Sequence, residues 1–232
     1  MGRPPIFSSR PDQQLFNRVN RRFEELGAIP VSAEQKQALS SQLETEMIHS
    51  TLGLEGIEPS DEKLVEGLRE AFRIVQSLVE SEGRRAGLSV ATLSRLGAVA
   101  GGGLRRGAGP KGSNLVAAER LPLILEGACM WFAAESFGEL NPAEQSAIVV
   151  LRLIGLHPFE EANQRLSLIA ASLFTMRSGL PPIILGPEQA GRYRLAVEEG
   201  LQANTKPLVE LIAESLEKTL ASMIARLGEE RG

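Results

Sequence analysis

The sequence predicts an all-α fold with room for one short hairpin. Three observations lead there. Apolar residues recur at helical spacing through most of the chain, residues that cap or break helices stand between those runs, and no alternating run is long enough for a sheet.

Residues 11–27 form the first expected helix, with Leu15, Phe16, Val19 and Phe23 on one stripe and Gly27 and Pro30 ending it. A second begins near Ser32, where Ser32-Ala33-Glu34-Gln35 reads as a capping box, and runs to about Leu52 before Gly53 and Gly56 break it. The third, capped by Ser60 or Asp61, places Leu64, Leu68, Phe72, Val75 and Val79 together and stops at Gly83. A shorter helix covers 89–98. The stretch 98–120 is the least helical, with Gly101, Gly102 and Gly103 in a row, then Arg105, Arg106, Gly107, Gly109, Pro110 and Gly112. Two readings stay open for it: a surface loop, or a flap over a site with Ser113-Asn114-Leu115-Val116 as one arm. Helices resume at 121–137 and after Asn141-Pro142, an N-cap followed by proline at N1. From 147 to 156 the helix that starts after Asn141-Pro142 is apolar on nearly every side, Arg152 excepted, and a further apolar helix runs from 163 to 176, so the two form the buried centre. Two more follow at 187–203 and 207–227.

A chain of 232 residues suffices for one full core. Its net charge of −4 argues against a nucleic-acid partner, which would need a basic face for phosphates. The single cysteine, Cys129, rules out an internal disulfide framework and a cysteine zinc site, and its apolar helical surroundings read as a buried structural thiol. Met1-Gly2-Arg3-Pro4-Pro5 leads into no apolar signal core, Ile6 stands where a myristoylation signal has Ser or Thr, and no window spans a bilayer. The expected location is the cytoplasm, without a membrane partner.

The informative segment is His157-Pro158-Phe159-Glu160-Glu161-Ala162-Asn163-Gln164-Arg165, which separates the two most apolar helices. A histidine, two carboxylates, an asparagine and an arginine at the end of a core are costly unless each is paired or used. The helix opening at Asn163 offers unbonded N–H groups and the positive end of its dipole, a ready site for phosphate, and Arg165 adds a forked donor. A carboxylate just ahead fits a divalent cation bridging to that phosphate. His157 can then take a proton from an attacking hydroxyl. The bland reading, with Glu161 and Arg165 as an i,i+4 pair and Asn163 as a cap, accounts for each residue separately. Taken jointly, the residues suggest phosphoryl or nucleotidyl transfer with Mg²⁺.

This segment resembles the Fic/Doc signature His-x-Phe-x-(Asp/Glu)-(Gly/Ala)-Asn-(Gly/Lys)-Arg, matched by His157, Phe159, Glu161, Asn163 and Arg165. The likeness extends over about residues 86–215, with Gly179-Leu180-Pro181-Pro182 similar to the family's turn after the motif and 101–120 in the position of its target-binding flap. The resemblance implies a Fic-type helical domain with a short β-hairpin flap. It implies an enzyme that moves AMP from ATP to a Ser, Thr or Tyr hydroxyl of a target protein held by the flap. It makes His157 the base and Phe159 the loop's anchor. Glu161 would hold Mg²⁺, and Ala162, Asn163, Gln164 and Arg165 would bind the nucleotide. Upstream, Thr51-Leu52-Gly53-Leu54-Glu55-Gly56 resembles the family's inhibitory pattern, which makes Thr51, Glu55 and Gly56 regulatory. His49 beside them reads as a partly exposed structural residue. The expected division is therefore a regulatory region at 1–85 and a Fic core at 86–232.

Three positions depart from the common AMP-transferring pattern: Ala162 and Gln164 replace glycines, and Leu168 stands where a second arginine is usual. Glycine at 164 would let phosphates approach the backbone closely, whereas a Gln side chain crowds or redirects them. Ala-Asn-Gln-Arg is closer to Doc, whose pattern accompanies kinase activity. A Doc-like transfer of phosphate, and a degenerate fold serving as a nucleotide-binding or interaction module, therefore stand beside adenylylation. A homo-oligomer is left open.

Overall fold

A computed structural model describes residues 11–107 and 115–229. The described chain is helical: α1 (Gln13–Gly27), α2 (Ala33–Leu54), α3 (Glu62–Glu82), α4 (Val90–Ala100), α5 (Leu121–Phe132), α6 (Glu135–Gly138), α7 (Pro142–Leu156), α8 (Asn163–Met176), α9 (Ala190–Leu201) and α10 (Lys206–Glu229). Two compact units result, one from residues 1–57 with 179–232 and one from 58–178. No helix among the described residues is long and apolar enough to cross a membrane.

Most helix starts are those the sequence indicates. Asp12, Ser32, Asp61, Ser89 and Asn141 each accept a first-turn backbone N–H, and Ser32 with Gln35 and Asn141 with Glu144 complete capping boxes. The expected single helix over 121–137 is instead two. α5 ends at Phe132, and a new turn opens at Glu135. The break lets Phe137 meet Phe132 and Phe174 at ring separations of 5.4 and 5.6 Å, so tertiary packing overrides local propensity. Cys129 is buried in α5, and burial pushes its thiol up to about 11.

In the first unit α1 lies along α10, tied by Arg18 to Glu217 at 2.9 Å, and α9 packs on α10. Gly179 takes a φ of +84° and lies against the Phe23 ring. In the second unit α7 and α8 are the packed centre, covered by α3, α4 and α5. Ser146 Oγ donates to the Ala171 carbonyl at 3.0 Å and joins the central pair without leaving a buried polar group unmet. Arg177, just past α8, donates to the Ala86 carbonyl and to Gln145 Oε1 and stacks its guanidinium 4.4 Å from the Phe174 ring. These contacts tie the start of α7 to the end of α8, away from the loop that joins the two helices.

Strand pairing among the described residues is one isolated antiparallel bridge between Leu104 and Phe159. The expected flap arm starts at Ser113 and Asn114, and those two residues, with Gly109, Pro110 and Gly112, lie outside the described residues, as do Met1 to Pro5 and Ile6.

Candidate active site

The site is built on how α7 stops and α8 starts. α7 ends with His157 in the left-handed region, φ 50° and ψ 60°, its N–H donating to the Leu153 carbonyl at 2.9 Å. A non-glycine residue in that region costs about 1 kcal/mol, so the turn must be held from outside. Pro158 and Phe159 follow into the interior, and Phe159 is fully buried. Asn163 closes the loop: its Oδ1 accepts from the Phe159 N–H and its Nδ2 donates to the Phe159 carbonyl, both at 2.9 Å. Its side chain is therefore a fastener for the anchor residue, which leaves its backbone N–H as the donor it can offer a ligand.

α8 begins after Ala162, itself left-handed at φ 58°, and this residue supplies no side-chain cap. The Asn163 and Gln164 N–H groups have no partner among the described residues. They give the helix start the unmet donors and partial positive charge expected of an anion site. Arg165, in the first turn, is buried, whereas Gln164 is half-buried and Glu161 is exposed. In the chain the carboxylate-bearing Glu161 comes two residues before the helix start. One such oxygen donor beside a phosphate seat fits Mg²⁺, which takes most of its ligands from phosphate and water. Glu160 turns the other way, accepting from the Arg106 N–H at 2.7 Å.

His157 Nδ1 lies 3.2 Å from the Ile154 carbonyl. A carbonyl only accepts, so this contact places the ring proton on Nδ1 and leaves the lone pair of the neutral ring on Nε2. The half-buried ring thus presents a basic nitrogen.

The Gly-rich segment is part of this construction. Gly103 N–H returns to the Gly97 carbonyl at 2.8 Å, while Glu161 N–H donates to Gly101 and Glu160 N–H to Gly103. A β-carbon at Gly101 would stand 2.7 Å from Leu166, and one at Gly97 would stand 2.9 Å from the Phe159 ring. Gly102 and Gly103 take φ of +71° and +97°. The motif loop therefore docks on glycines because nothing larger fits. Arg105 completes the seat: its backbone N–H donates to Pro158 and its Nε to the His157 carbonyl at 2.9 Å. Sequence reasoning passed over this residue, whose one available signal was a cation inside a glycine run.

Thr51, Glu55 and Gly56 belong to the other unit, at the end of α2. Thr51 is buried with its hydroxyl on the Met47 carbonyl, Glu55 is the C-cap, and Gly56 turns the chain with φ +69°. His49 is exposed on the same helix.

Together these features define a class: a helical domain that carries its polar site on the loop between two buried central helices. Residues 64–175, just under half of the chain, match the model of the Fic/DOC family, so the segment that holds the site carries that family's domain. Over 100 residues it is 30% identical to the protein adenylyltransferase Fic of Drosophila erecta, an alignment covering 43% of this chain and 20% of that one. The chain thus spans about a fifth of the length of the curated relatives it matches. Among solved structures, a Fic domain containing signaling protein from Bacteroides thetaiotaomicron superposes with a TM-score of 0.78 at 16% identity, covering 91% of this chain and 98% of that one. Fic-1 from C. elegans gives 0.77 at 22%, covering 92% and 71%. These likenesses establish the fold.

Proposed function

We propose that this protein is an adenylyltransferase that moves AMP from ATP to a Ser, Thr or Tyr hydroxyl of a target protein, under restraint by Glu55. The observation that carries the reading is the pairing of an open helix start, at Asn163 and Gln164, with a histidine whose Nε2 lone pair is left available. The relatives' name, protein adenylyltransferase Fic, supports it.

In this reading the target hydroxyl gives its proton to His157 Nε2 as its oxygen attacks the α-phosphorus, and pyrophosphate leaves. The Asn163 and Gln164 N–H groups take up negative charge on the phosphates, and Arg165 binds the β-phosphate. Ala162 sets the left-handed turn that aims those donors, and Phe159 anchors the loop. Mg²⁺, held by Glu161, would neutralise phosphate charge when bound. The target binds through the segment around 101–120, using backbone more than side chains. Residues 1–85 carry the restraint, with Thr51 and Gly56 shaping the end of α2 around Glu55, and residues 86–232 carry the chemistry.

A second reading, γ-phosphate transfer in the manner of Doc, is favoured by Leu168. It lies in the core at 1% exposure where the common adenylylating pattern has a second arginine. The Glu55→Gly protein, given candidate targets and ATP labelled at either the α- or the γ-phosphorus, separates the two. Adenylylation predicts protein-bound label from the α-position alone. Label from the γ-position alone selects phosphoryl transfer, and no label from either overturns both.

A further inference from the structure

Arg105 lies outside the motif, in the Gly-rich segment after α4, yet only 6% of it is exposed. No carboxylate among the described residues neutralises it. Its guanidinium is met instead by three main-chain carbonyls: His157 takes Nε at 2.9 Å, Gly107 takes Nη1 at 2.9 Å and Val116 takes Nη2 at 2.7 Å. One rigid fork therefore joins the end of α7 to both limbs of the segment. The residue it grips, His157, is one of two in the motif in a left-handed conformation, with φ 50° and ψ 60°.

We propose that Arg105 is a positioning residue that couples occupancy of the segment at Gly107 and Val116 to the pose of the His157 ring. The inference rests on reading His157 as the proton acceptor and this segment as the target's dock. The physical basis is the strain at His157. Its ring direction follows its φ and ψ, and a cheaper backbone conformation is available once the carbonyl is released. Within that turn the ring is set further by the Nδ1 contact to Ile154. A planar guanidinium cannot shift one arm without moving the others, so a peptide that draws on Gly107 or Val116 displaces the His157 peptide as well. Lysine carries a point charge and cannot span the three carbonyls.

The test has a readout independent of catalysis. The chain holds two histidines, His49 and His157, so ¹⁵N-histidine labelling gives two ring systems, and a His49→Gln protein assigns them. In the unaltered protein His157 is expected in the Nδ1–H tautomer. In Arg105→Lys its ring signals are expected to move to averaged tautomers while the circular dichroism melt stays cooperative. In the Glu55→Gly background the same replacement is expected to lower kcat about 100-fold, the scale of an ångström of misplacement. Nucleotide Kd by calorimetry is expected to change less than twofold. Arg105→Gln serves as the second variant, with a larger effect of the same pattern. Ring signals identical to the unaltered protein in both variants would overturn the coupling, as would equal losses in rate and nucleotide affinity. Should no variant transfer any group, the proposed activity fails and the ring spectra still decide the role of Arg105.

Discussion

The starts of α7 and α8 lie on neighbouring helices of the same core, yet they are made differently. α7 begins with Asn141, Pro142 and Glu144, a capping box in which each side chain meets the other residue's N–H. α8 begins with Ala162, which has nothing to offer its helix, and the side-chain amide of Asn163 is turned back onto Phe159. Where a helix start serves only stability, its donors are met by side chains. Where they are left open beside a histidine and an arginine, they are available to a ligand. The contrast separates scaffold from site within about twenty residues.

Five experiments, in falling order of expected effect, can break or sharpen that contrast. His157→Ala should lower transfer by about 10² to 10⁴, the usual worth of a general base. It should barely move the melting temperature, because the side chain makes one long contact at 3.2 Å. Asn163→Ala should cost about 2 to 4 kcal/mol in urea unfolding, since it strands the buried N–H and carbonyl of Phe159, and it should also weaken nucleotide binding. The two helix starts can then be compared directly. Asn141→Ala should cost about 1 kcal/mol and leave nucleotide affinity alone. Ala162→Gly should gain up to about 1 kcal/mol by relieving the left-handed turn, with nucleotide still bound. The smallest effect belongs to Cys129, whose thiol is held up to about 11 by burial from a usual value near 9. Its folded value is raised, so its contribution is complete below pH 9 and declines as pH climbs toward 11. Denaturant melts of the natural protein and Cys129→Ala across that range should diverge, and a thiol reagent at pH 8 should react slowly.

The parts of the fold that follow from local rules were legible in the sequence. Caps at Ser32 and Asn141, the stop at Gly83 and the two all-apolar helices needed only spacing and side-chain chemistry. The break between α5 and α6 was not, because no glycine or proline marks it; the partner that bends the chain there is Phe174, far along the sequence. The site divides the same way. His157, Glu161 and Arg165 announced themselves by lying between apolar helices. Asn163 was assigned to phosphate because its type fits, and only the fold reveals that Phe159 occupies its side chain. Gly97, Gly101 and Arg105 act through contacts with a loop more than fifty residues away, a distance at which spacing carries no signal.

A crystal structure of the Glu55→Gly protein with a non-hydrolysable ATP analogue and Mg²⁺ probes the open helix start itself. Phosphate oxygens within hydrogen-bond reach of the Asn163 and Gln164 N–H groups, with His157 Nε2 directed at the α-phosphorus, are the expected result. A nucleotide bound elsewhere, or those two N–H groups turned toward water in its presence, would contradict it.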